Sequence, residues 1–250
     1  MKKMIVANWK MNPESLDQAK QKAREIAVIA RETSGVEIIV CPPDLFLSDL
    51  SIFNSFILGA QNCSSEIAGA HTGEVSALML ADTGVKYVLV GHSERRAMGE
   101  GDEIINKKVI TALRSRLKVI LCVGEKVRDE NGEYLNFISG QLRMGLARVS
   151  KKDLKNLIFA YEPIWAIGKE ALRAASPADV LQTSIFIRRT IAELFGQDIA
   201  MRVPILYGGS VDKKNAEDFF KEGKVQGLLI GRESLNIPSF GEILHIANSL

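Results

Sequence analysis

Three polar residues of types that move protons or meet anions stand directly after apolar runs of the chain: Lys10, His92 and Glu162. Glu162 lies in Ala160-Tyr161-Glu162-Pro163-Ile164-Trp165. Walled by Trp165 and Ile167, its carboxylate would be partly desolvated, which raises its basicity and suits a general base. The alternative is a rim carboxylate paired with a nearby lysine or arginine. His92 opens Gly91-His92-Ser93-Glu94-Arg95-Arg96. A helix starting at Ser93 would aim N–H groups and positive dipole at the ring, favouring neutral imidazole. Such a ring can donate a hydrogen bond to a carbonyl and still exchange its proton; a structural rim histidine is the other reading. Lys10 follows Asn8-Trp9, and strand alternation puts Asn8 and Lys10 on one side. A lysine held inward is costly unless it meets an anion, whereas at a strand end it is simply solvated.

Two glycine-rich turns add an anion chemistry: Tyr207-Gly208-Gly209-Ser210-Val211 and Gly231-Arg232-Glu233-Ser234-Leu235. Backbone N–H groups in such turns can cradle a phosphate, or the turns are only tight. Trp9 and Trp165 read as packing anchors, and His245 as surface or packing.

The elements that must position these residues follow from hydrophobic pattern. Eight short apolar runs recur: Met4–Ala7, Val36–Val40, Phe56–Ala60, Tyr87–Val90, Val119–Val123, Leu157–Ala160, Ile205–Leu206 and Leu228–Ile230. They are continuous rather than alternating, as in parallel strands covered on both faces. Helical patterns lie between them. Ser15 caps a stretch with Leu16, Ala19, Ala23, Ile26, Ala27 and Ala30 on one face, stopping near Gly35. Ser176-Pro177 opens another, a capping residue before proline at the first helical position, leading into Val180, Ile185, Ile187 and Ile191. Asp212 is a candidate cap for the segment through Phe219 and Phe220, ending at Gly223. The pattern implies one (β/α)8 barrel over residues 1–250, with an open doubly wound sheet as runner-up. In a barrel, Asn8, Lys10, Asn62, His92, Glu94, Glu125, Glu162, Ser210 and Arg232 all gather on the face where barrel enzymes build their sites.

Composition narrows the partners. The net charge is +2 over 250 residues with no long run of like charge, so nucleic acid and anionic membranes are not expected to bind. Cys41, Cys63 and Cys122 form no CxxC, read as buried thiols, and fit a reducing cytoplasm. No signal-type segment or membrane-length apolar run is apparent. There is no HxxxH or paired Cys/His spacing for a metal, no Walker A loop and no GxGxxG, so neither metal nor nucleotide cofactor is expected. Arg95 stands where a GxSxG elbow would need its closing glycine.

Taken in order, seven segments resemble triosephosphate isomerases along essentially the whole chain. They are Ala7-Asn8-Trp9-Lys10-Met11-Asn12, Gly59-Ala60-Gln61-Asn62, Thr72-Gly73-Glu74-Val75-Ser76, Gly91 to Arg96, Cys122-Val123-Gly124-Glu125, Ala160 to Gly168, and Tyr207 to Val211. The resemblance implies interconversion of dihydroxyacetone phosphate and D-glyceraldehyde 3-phosphate through an enediolate, without a cofactor. It gives Glu162 the role of carbon base and neutral His92 that of proton shuttle. Lys10 and Asn8 would stabilise charge, with Glu94 supporting Lys10 and the dimer contact. Gly168, Ser210, Gly231 and Arg232 would offer N–H groups to the phosphate. It also implies a homodimer, with His71 and Thr72 entering a pocket beside the partner's site and Thr72 approaching Asn8 and Glu94 across the interface; Thr72 also reads as a helix N-cap.

Three departures stand out. Lys169-Glu170-Ala171-Leu172-Arg173 replaces a shorter lid tip, Arg232 replaces a glycine, and His71 replaces an aromatic residue. The Arg232 side chain either joins the phosphate site or points away toward Glu233 or solvent. Two other readings remain open: a catalytically weakened barrel kept for binding, and another phosphosugar enzyme such as an aldolase. A Schiff-base aldolase would need a lysine near a late strand end, where Lys126 and Lys169 both fall in loops.

Overall fold

The computed structural model describes residues 2–166 and 173–250. Eight parallel strands close into a barrel in chain order. They are β1 (Lys3–Asn8), β2 (Val36–Cys41), β3 (Ile57–Ala60), β4 (Tyr87–Val90), β5 (Lys118–Val123), β6 (Leu157–Tyr161), β7 (Ile205–Tyr207) and β8 (Gly227–Ile230). Each coincides with one of the apolar runs. The reason is the two-sided burial of a parallel barrel. Val6, Ile39, Leu89, Ile120, Ile158, Leu206 and Leu229 belong to one buried cluster, the strand faces turned into the barrel. Their neighbours Ile5, Val40, Val88, Val119, Leu157, Ile205 and Leu228 belong to the larger cluster shared with the surrounding helices. Where the interior narrows, Gly59 makes room: a Cβ there would lie 2.5 Å from Cys41 Sγ. The seam joins the first strand to the last, with Met4 opposite Gly227 and Ala7 opposite Ile230.

The helices begin largely where capping chemistry dictates. Ser15 Oγ accepts the Gln18 N–H at 3.3 Å to start the helix Leu16–Glu32, which buries Ala19, Ala23, Ile26 and Ala27. Ser176 and Asp179 form a reciprocal capping box ahead of Pro177–Phe195; losing such a cap costs ~1 kcal/mol. Within Pro177–Phe195, Ser184 and Ile187 are buried and Ile185 is largely exposed, so the inward stripe runs beside Ile185. Two expectations are corrected. Asp212 caps no helix: Oδ1 accepts the N–H groups of Lys214 and Asn215, closing a turn before the helix Ala216–Lys221. The N-cap of Ala77–Asp82 is Ser76 rather than Thr72. No helix among the described residues is long and apolar enough to cross a membrane.

Candidate active site

At the carboxyl ends of the strands, Asn8, Lys10, His92, Glu162, Ser210, Gly231 and Arg232 line one cavity of about 590 Å³. Glu162 directly follows β6. Its N–H donates to Val123 O on the neighbouring strand, and its side chain is only 3% exposed. The packing beside it is glycine. A Cβ at Gly124 would sit 1.8 Å from the Glu162 carbonyl oxygen, and one at Gly208 would sit 3.0 Å from its Cγ. Gly208 therefore makes room for the carboxylate, and Gly209, whose Cβ would strike the Tyr207 hydroxyl, makes room for that ring. The walls expected from Trp165 and Ile167 are different. The Trp165 Nε1–H donates to Glu125 at 2.7 Å, and Ile167 lies outside the described residues.

The carboxylate is held by β4's end. Ser93 N–H donates to Glu162 Oε2 at 2.8 Å, and His92 Nε2 lies 3.1 Å from Oε1. His92 is itself the N-cap of the short helix Ser93–Ala97, its Nδ1 accepting the Glu94 N–H at 3.2 Å. A ring nitrogen that accepts carries no proton, so this contact leaves Nε2 as the ring's donor, facing Glu162 and the cavity. Arg96 fixes the turn from outside: Nε donates to Gly91 O at 2.8 Å, and its guanidinium also reaches Cys122 O and Asp102. The sequence reading had no role for Arg96.

Lys10 reaches the cavity by a route that strand alternation does not describe. β1 ends at Asn8, and Lys10 takes a left-handed backbone with φ +53°. Asn8 Oδ1 accepts its N–H at 3.0 Å, and Gln61 Nε2 donates to its carbonyl at 2.8 Å and to Cys41 O at 2.9 Å. Its ammonium donates to Glu94 Oε1 at 2.6 Å. Gly231 leaves the stem its place, since a Cβ there would lie 3.2 Å from Lys10 Cε. Gln61, which sets the lysine's unusual backbone, also had no role assigned from sequence.

Comparison with known proteins decides the family. The family model described as "Triosephosphate isomerase" matches residues 3–247. Proteins named triosephosphate isomerase from Carboxydothermus hydrogenoformans, Chloroherpeton thalassium and Fusobacterium nucleatum are similar to the chain at 42%, 39% and 39% identity. The alignments cover 97%, 98% and 99% of this chain and 98%, 99% and 100% of those proteins. The chain belongs to the triosephosphate isomerase family. In this family member the remaining candidates divide. Ser210, Gly231 and Arg232 line the same cavity as Lys10, His92 and Glu162, while Gly168 lies outside the described residues, as do Lys169 to Leu172 of the lid departure. His245 is exposed near Glu32.

Glu125 does not line that cavity. It is buried beneath Trp165, and Oε1 accepts from Tyr161 OH at 2.8 Å as well as from the indole. Burial pushes its carboxyl up, with these donors and Arg128 acting in opposition. Asn62 faces a second cavity of about 450 Å³, shared with Asn8, Lys10, His92 and Glu94 and lined further by Asp44, Cys63, Glu74, Arg95 and Met98. Burial pushes the Asp44 carboxyl up to about 6, against the pull of Arg95. Lys108, buried below, donates to Glu100 and to Asn62 Oδ1 at 2.6 and 2.8 Å. His71 and Thr72 are exposed on the segment before Ser76.

Proposed function

We infer that this site interconverts dihydroxyacetone phosphate and D-glyceraldehyde 3-phosphate by moving a proton between adjacent carbons, with Glu162 as the base. The observation that carries the reading is the meeting of a buried carboxylate, an imidazole and a lysine on one cavity in a chain of this family. With the phosphate at the Ser210 and Gly231 end, the carbonyl and its neighbouring carbon lie toward Lys10, His92 and Glu162. Glu162 leaves the Ser93 N–H, takes the proton from carbon, and returns it to the adjacent carbon. The Nε2–H of His92 donates to the carbonyl oxygen and passes the proton between the two oxygens. Lys10 and Asn8 stabilise the negative charge that develops on the enediolate, where fixed donors are most effective. No step requires a cofactor.

A coupled assay with glyceraldehyde 3-phosphate tests this. Wild type turns the substrate over, and Glu162→Gln keeps the fold but loses roughly a thousandfold in kcat, the loss of a positioned base with its electrostatics. A folded variant with more than a tenth of wild-type turnover removes Glu162 from the role. An inactive wild type returns the binding-barrel reading, and borohydride trapping of substrate on a lysine returns the aldolase.

The assembly is proposed to be a homodimer in which the segment with His71 and Thr72 enters the second cavity of its partner. Exposed Met11, Leu45, Leu78, Met79 and Met98 supply apolar surface of the kind a partner covers. Three buried free thiols, Cys41, Cys63 and Cys122, support residence in a reducing cytoplasm.

A further inference from the structure

We propose that Arg232 supplies the cation for the substrate's phosphoryl group, so that this chain recognises the dianion by a guanidinium as well as by backbone N–H groups. The proposal rests on the isomerase reading for the identity of the anion. Its ground is the charge inventory of the cavity wall. Four charged groups line the cavity besides Arg232: Lys10, Glu162, Asp212 and Glu233. Each is engaged. Lys10 is paired with Glu94 at 2.6 Å. Glu162 accepts from Ser93. Asp212 accepts two N–H groups of its own turn. Glu233, the acid that would draw Arg232 away, instead accepts the Ser239 hydroxyl at 2.6 Å. Among the described residues Arg232 makes no ion pair, and its side chain is exposed.

Its backbone is fixed at this rim. The Gly231 carbonyl accepts both the N–H and the hydroxyl of Ser234, at 3.0 and 2.6 Å, locking the turn Arg232–Leu235. The lysine's charge is thus largely balanced before substrate arrives. A dianion entering at the Ser210 and Gly231 end meets a guanidinium paired with no carboxylate among the described residues, whose planar donors match phosphate oxygens.

Titration calorimetry with inorganic phosphate, at low and at physiological salt, reads the contact without relying on turnover. For Arg232→Gln the dissociation constant should rise by roughly three- to tenfold, the range for an exposed charge-assisted contact. Its salt dependence should flatten, because a charge has been removed. Arg232→Lys should recover part of the affinity and most of the salt dependence, since it keeps the charge but not the fork. KM for the triose phosphate should follow the phosphate constant more closely than kcat does. The ratio of kcat/KM for glyceraldehyde 3-phosphate to that for unphosphorylated glyceraldehyde should fall. Arg232→Gln with wild-type phosphate affinity and salt dependence overturns the proposal. A wild type that binds phosphate through Arg232 but turns over no triose phosphate overturns the isomerase reading alone.

Discussion

Lys10 holds a left-handed φ of +53° that a side chain with Cβ adopts at a cost of ~1 kcal/mol. What holds it there is distributed: the Asn8 side chain on its N–H, Gln61 on its carbonyl, Glu94 on its ammonium. Lys10→Gly removes the strain together with a partly exposed ion pair worth ~0.2–1 kcal/mol. The variant should therefore melt within a few degrees of wild type or above it while losing most of its turnover. A variant that loses stability in proportion to activity would mean that the ion pair holds the fold rather than serving the reaction. The same residue marks where sequence reading stops. Lys10, His92 and Glu162 are legible because each is a reactive type placed after an apolar run. The left-handed turn is not, because Gln61, which braces it, bonds to backbone carbonyls, and any residue has a carbonyl. Arg96, gripping Gly91 O and Cys122 O, is hidden for the same reason.

The helix Pro177–Phe195 begins at a junction with more than capping chemistry. Asp179 accepts from the Ser176 N–H and hydroxyl at 2.9 and 2.8 Å and from Arg173 at 2.7 Å. Burial raises the carboxyl's affinity for a proton, but the Arg173 and Ser176 bonds outweigh it and hold the group well below the usual carboxylate range. A lowered folded pKa gives stability that is complete above the unfolded value of about 3.9 and lost as pH falls below it. Asp179→Asn should accordingly cost ~1 kcal/mol at neutral pH, the loss of a capping carboxylate that is still partly open to solvent. Paired thermal melts should show the gap narrowing from about pH 4 downward; a gap of constant size would assign it to hydrogen-bond geometry and not to charge. Ser176-Pro177 announced this junction because a cap followed by proline has one structural meaning. Asp212 misled because the same residue type closes a turn as readily as it caps a helix. The strands were legible for a different reason: both faces of each are buried, so their apolar runs are unbroken.

For the whole molecule, the second cavity and the apolar side chains near it bear on assembly. Met11 and Met98 line the cavity and are 93% and 75% exposed in the isolated chain. Covering such side chains gains up to ~1.5–3 kcal/mol each, and a carboxylate among them would be stranded without a partner. Wild type should sediment at about twice 27.5 kDa, and Met98→Glu should shift it toward one chain. A wild type that sediments as one chain ends the dimer proposal and leaves the cavity as an open annex of the active site. The seam between β1 and β8 carries a separate consequence for synthesis. Lys10 stands just beyond the first strand, and Gly231 and Arg232 just beyond the last, so the two meet only when the final strand docks. A chain still emerging from the ribosome, or cut short before Gly227, already contains Lys10, His92 and Glu162, yet has no wall on which to hold a substrate against them. Activity should therefore appear all at once with the last stretch of polypeptide, and turnover in a pool of nascent or clipped chains would count finished barrels only.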